Sequence, residues 1–201
     1  MGEFLLNAIR FVLAVLLSPA MLASVVAFKD YFADFPPNMQ DFIYWGALAY
    51  LLIYIFVYRF LVLYEFGQRI ICEVFKFAAP LNRMVSHLIP FYLTLIFLLF
   101  YVAIAFFKTV NYDHYFLFFG GFAFAMHLIL VAQELQEQES SAIKPSYLLW
   151  MNVVVIFNFF LMVLLLNMVS QKFTFSDYFE RFLQYARDYY EWILHKMMYF
   201  K

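Results

Sequence analysis

One stretch constrains this chain more than any other. Residues 147–170 read YLLWMNVVVIFNFFLMVLLLNMVS, without a charged side chain. As a helix rising about 1.5 Å per residue it runs roughly 36 Å, enough to cross a hydrocarbon core of about 30 Å with some tilt. A soluble domain has no use for such an element, so the rest of the chain has to fold in lipid as well. Composition agrees: 67% of the residues are hydrophobic and 13% are charged, against about 25% charged in a typical soluble chain. A formal net charge of −1 argues against nucleic acid as a partner. Cys72 is the only cysteine, so no disulfide can form within the chain. The aromatic share of 24% suits interfacial belts and wide helix–helix contacts.

The reading is an all-α, multi-pass integral membrane protein with about five transmembrane helices. The apolar runs are 5–28, 42–64, 88–107, 115–132 and 147–170. Together they form a transmembrane domain over 1–170, followed by a tail over 171–201. Arg10 and Ser18-Pro19 interrupt the first run, and Pro19 is expected to kink it. A cleavable signal peptide is the competing reading of this run. Myristoylation of Gly2 is disfavoured, because position 6 is Leu6 rather than Ser or Thr. Lys29–Gln40, with Pro36-Pro37 at its centre, reads as a polar loop. In the second run Tyr50, Tyr54 and Tyr58 share one helix face and read as a packing stripe. Arg59 near its end can snorkel to the interface.

Two segments are amphipathic. Residues 66–79 place Ile70, Ile71, Val74 and Phe75 on one side and Arg69, Glu73 and Lys76 on the other. Ion pairs Arg69–Glu73 and Glu73–Lys76 are expected, and Pro80 ends the helix. The third run carries Pro90 in its first turn. Gly120, Gly121 and Ala125 in the fourth run give it a small-residue face for close approach by another helix. The acidic turn 133–146, with Glu134, Glu137, Glu139, Lys144 and Pro145, lets runs four and five return as an antiparallel pair. In the tail, Asp177 and Glu180 read as an N-cap and N3 pair. Phe179, Phe182, Leu183, Ala186, Tyr190, Ile193 and Met197 form an apolar stripe on a helix of about 24 residues. Such a helix lies on the membrane surface or packs along a partner. The distribution of Lys and Arg leans towards a cytoplasmic C-terminus. The membrane is a bacterial inner membrane or an organelle membrane. If 65–80 crosses as well, the count becomes six.

Candidate chemistry is sparse. His127 sits mid-run in the fourth span, where an ionisable side chain is a functional hypothesis by default. A metal site needs two or three further donors, and Asn152, Asn158 and Asn167 are poor ones. His127 bonded to Asn152 or Asn158 is the preferred reading, with these residues as interhelical polar contacts. His87, His114 and His195 show no ligand spacing. No H-E-x-x-H, phosphate-binding Gly-rich loop or G-x-S-x-G is present. No cofactor is expected, and Cys72 reads as a buried, inert thiol.

Phe66-Gly67, Leu88-Ile89-Pro90-Phe91-Tyr92, the run Gly121 to His127, Glu134-Leu135-Gln136-Glu137-Gln138 and Ser146-Tyr147 follow one another in a distinctive order. In this the chain resembles small bacterial membrane proteins related to the M50, site-2-protease-like, zinc metallopeptidases. The resemblance covers roughly half the chain. It implies a helical membrane scaffold, but where that family places His-Glu-x-x-His this chain has Gln68-Arg69-Ile70-Ile71-Cys72. Zinc hydrolysis needs those ligands and that carboxylate. The expectation is therefore a non-catalytic membrane subunit or scaffold, with lipid and other integral membrane proteins as partners in a hetero- or homo-oligomeric complex. The rivals are a small transporter or channel component with a polar path near Arg59 and His127, and a divergent intramembrane zinc peptidase.

Overall fold

A computed structural model describes residues 2–56, 61–78, 82–107, 113–138, 144–170 and 174–199. Tyr58, Arg59, Pro80, Lys108 and Glu139 lie outside the described residues. Everything regular among the described residues is helical. The elements are α1 (Gly2–Ala33), α2 (Pro37–Phe56), α3 (Leu61–Val74), a 3-10 turn (Lys76–Ala78), α4 (Asn82–Leu88), α5 (Phe91–Phe107), α6 (Asp113–Glu137), α7 (Pro145–Val169) and α8 (Phe175–Tyr199). Four of them, α1, α2, α6 and α7, are long and apolar enough to cross a membrane, and α5 is a shorter apolar helix. The chain divides into two units, one of Met1–Asp34 with Glu134–Lys201, the other Phe35–Gln133.

In the first unit α1 packs on α7 and α8. Arg10 donates to Ser146 at 3.0 Å, Asn152 donates to the Ala14 carbonyl at 2.8 Å, and the rings of Phe28 and Phe159 lie 4.8 Å apart. Contacts rise together along both helices, so α1 and α7 are parallel. α8 runs the other way along α1. Arg181 meets Asp34 at 2.5 Å, Tyr185 donates to Asp30, and Tyr190 donates to the Leu16 carbonyl at 2.6 Å. These contacts explain why 29–33, expected in a loop, are helical. Asp30 and Asp34 find partners on α8, and Tyr31 and Phe32 are buried. Local polarity suggested a loop; tertiary pairing made helix the better state.

In the second unit α2 and α6 touch backbone to backbone. A Cβ added to Gly46 would lie 1.9 Å from the Phe118 carbonyl oxygen, and one on Gly121 would lie 2.2 Å from that of Ile43. Only glycine permits such an approach. Phe42 meets His114, Tyr50 meets Phe122, and Tyr54 donates to Gln133 at 3.2 Å. This pair, too, is parallel. The break between α4 and α5 falls at Ile89-Pro90, so Pro90 precedes the helix instead of standing in its first turn.

Candidate functional site

Two clusters of polar side chains sit among the apolar helices. The first is centred on α1. Ser18 Oγ donates to the Ala14 carbonyl at 2.8 Å, and Asn152 Nδ2 reaches both that carbonyl and Ser18 Oγ, the latter at 3.2 Å. Helix α1 runs unbroken through Pro19. A proline ring leaves the carbonyl four residues back, here that of Val15, without its amide donor; the side-chain donors near it go to the Ala14 and Leu16 carbonyls on either side. Asn152 and Tyr190 serve this region from α7 and α8. Asn158 donates within its own helix, to the Val154 carbonyl at 2.9 Å.

The second cluster lies in the other unit. His127, on α6, is buried with its Nε2 3.0 Å from the backbone carbonyl of His87 at the end of α4. A carbonyl only accepts, so Nε2 carries the hydrogen. The expected bond from His127 to Asn152 or Asn158 is thus replaced by one to a main-chain oxygen that local sequence does not advertise. The Tyr64 ring lies 6.2 Å from that of His127, and Gln68 donates to Tyr64 across one turn of α3. Between α5 and α6, Tyr92, Leu99, Phe116, Phe122 and Met126 line a cavity of about 440 Å³. Among the described residues no group of three His, Cys, Asp or Glu is placed to hold a metal ion.

Several sequence expectations shift in detail. The amphipathic helix expected over 66–79 is α3, Leu61–Val74, with a 3-10 turn after it. Arg69 pairs with Glu65 at 3.9 Å instead of Glu73, while Lys76 does meet Glu73 at 3.4 Å. Gly121 faces α2 of its own chain, so this part of the small-residue face is already occupied; Gly120 is buried and Ala125 half-buried. At the tail the cap is Thr174. Asp177 N–H donates to Thr174 Oγ1 at 3.3 Å and the Thr174 N–H to Asp177 Oδ2 at 2.9 Å. This is a reciprocal capping box one turn earlier than Asp177–Glu180. The Thr174 amide, then its hydroxyl, hold the Asp177 carboxyl below the usual carboxylate range.

The packed stripe of α8 is also rotated from the expected one. Tyr178 is fully buried, and Phe182, Tyr185, Ala186, Tyr189, Tyr190 and Ile193 are half-buried. Phe179, Leu183 and Met197 are 39%, 50% and 71% exposed. Phe160 of α7 sits among Phe175, Tyr178, Phe179 and Phe182, with ring centroids 5.3–6.2 Å away. These four residues are spaced 3, 1 and 3 along one helix, the hole that receives a knob. The hydrogen bond to Asp30 raises the Tyr185 phenol above its ordinary range, so it remains a donor there. Sequence reading missed Tyr178 and Tyr185 because it phased the stripe on Phe179, Leu183 and Met197; their period of seven with Tyr189 near it was the available signal. No family model matches the chain, and no curated protein or solved structure shows significant similarity to it.

Proposed function

We propose that the chain is a five-crossing membrane subunit without catalytic chemistry of its own, and that it presents α8 to another integral membrane protein. Two features support five crossings. Parallel α1 and α7 need an odd number of passes from one to the other, both included. Parallel α2 and α6 need the same. Counting α5 as a crossing and leaving α3 at the interface meets both conditions; four or six crossings meet neither. Helix α5, about 26 Å long at 1.5 Å per residue, fits a thin or locally thinned hydrocarbon layer, whereas α3 carries Glu65, Arg69 and Glu73.

One observation carries the partner. On the side of α8 turned away from α1, Leu183, Leu194 and Met198 are well exposed, and so are Arg187 and Glu191. Lipid solvates the first three and not the charges; water does the reverse. A protein surface that offers both apolar and polar groups satisfies the whole strip. Of the two faces the sequence offers to a partner, Gly120-Gly121 and the tail, Gly121 is taken up within the chain, and the tail is the one proposed. The kinship with site-2-protease-like proteins would then be one of scaffold, with Tyr64, Gln68 and His127 as a structural polar cluster. The test is site-specific photo-crosslinking in native membranes. A benzophenone at Leu194 should give a discrete protein adduct that one at lipid-facing Val12 does not. Lipid adducts alone at Leu194 would end the partner reading, and stoichiometric zinc in purified protein would end the non-catalytic one.

A further inference from the structure

Helices α1 and α8 enclose a groove of about 610 Å³, a volume typical of small-molecule sites. Val15, Ser18, Pro19 and Leu22 form its α1 wall, and Asp188, Tyr189 and Trp192 face them from α8. The carboxylate is the unusual member of this set. Among the described residues Asp188 makes no ion pair, and the nearest basic residue in sequence, Arg187, is engaged by Glu191 at 3.7 Å. The residues one turn from Asp188 are Gln184, Tyr185, Glu191 and Trp192, none of them basic. The Asp188 side chain is exposed at the mouth of the groove, so its carboxylate is open to a cation that arrives beside a helix apolar enough to cross a membrane. The other groups favour that cation's being bound here. An exposed indole and a phenol attract a cation through their ring faces. Pro19 has no amide hydrogen to give Val15, so that wall also offers a carbonyl in need of a donor. Val15 and Leu22 supply surface for an alkyl chain.

We propose that this groove binds the primary ammonium end of an alkyl-chain amphiphile, which unlike choline has N–H donors for the Val15 carbonyl, with Asp188 as its counter-charge. The site is independent of any partner on the outer face of α8. The test uses the full chain with Trp45→Phe and Trp150→Phe, so that Trp192 alone reports, in phosphatidylcholine nanodiscs. Dodecylamine should change Trp192 emission saturably, and dodecanol, with the same tail and no charge, should not. Asp188→Asn should weaken the response at least about tenfold, and Glu180→Gln, about two turns away on the same helix and outside the groove, should leave it unchanged. Equal responses to the amine and the alcohol, or equal losses in the two variants, would overturn the site. Replacing part of the phosphatidylcholine by phosphatidylethanolamine identifies the source. Competition with dodecylamine assigns the site to a bilayer lipid; no competition, with saturable amine binding intact, assigns it to a free amphiphilic amine.

Discussion

The two units join a parallel pair of helices by opposite means. In one, α1 and α7 are bridged by side chains: Asn152 reaches the Ala14 carbonyl, Arg10 reaches Ser146, and Phe28 meets Phe159. In the other, α2 and α6 have no side chain between them at Gly46 and Gly121, and their backbones touch. The first kind of contact fails when atoms are removed and the second when atoms are added. Lipid does not push helices together as water does. Association therefore has to come from polar bridges or from close packing, and this chain uses each in a separate place.

Adding atoms at the glycine contact should have the largest effect. In Gly46→Val the new Cβ alone would fall 1.9 Å from a backbone oxygen, which cannot swing aside as the end of a side chain can. The helices must part, and the cost should exceed about 3 kcal/mol, the upper end of ordinary overpacking. Thermal unfolding in detergent reads it, and Gly121→Val should behave alike. A variant as stable as wild type would mean that the two backbones do not meet.

Removing atoms from the bridged unit should cost less and act more locally. Phe160→Ala empties the hole formed by Phe175, Tyr178, Phe179 and Phe182. Full burial would put a Phe→Ala change at 3–5 kcal/mol; Phe160 is half-buried, so about 2 kcal/mol is expected. The loss should fall on α8: limited proteolysis should cut the tail first, with the remaining helices intact. Uniform destabilisation without selective release of α8 would break the contrast between the units.

How far the sequence speaks depends on whether a residue's partner is local. Long apolar runs announce helices of membrane-crossing length because the bilayer imposes that length, so α1, α2, α6 and α7 are visible in the sequence. The small-residue face at Gly121 was visible too, but not its occupant, since Gly46 is one glycine among apolar residues far away in the chain. Asp30 and Asp34 looked like loop residues because their partners, Tyr185 and Arg181, come from the far end of the chain. For His127 the acceptor is a main-chain oxygen, and every residue has one, so no residue type marks it. The tail shows a finer failure. Its helical period was legible, but its phase was not: Tyr178, Tyr185 and Tyr189 turn inward where Phe179, Leu183 and Met197 fit the same period.

The smallest expected effect tests where that tail helix begins. Two overlapping patterns compete for its start, Thr174-x-x-Asp177 and Asp177-x-x-Glu180, and the structure uses the first. The Asp177 carboxyl is lowered by the Thr174 amide and hydroxyl. A depressed carboxylate pKa contributes stability above its unfolded value, about 3.9, and the contribution is lost as pH falls through the folded value. Hydrogen-exchange protection in the first turn of α8 should therefore be flat from about pH 8 to 5 and fade below about 4. Thr174→Ala should lower protection across the whole range and flatten the acid step, because the carboxylate then loses the hydroxyl that helps to depress it. Asp177 is exposed, so the change should stay confined to the first turn, while the Phe160 contact holds the rest of the helix in place. If protection falls instead along the whole of α8, the cap, and not the aromatic knob, is what fastens the tail to α1.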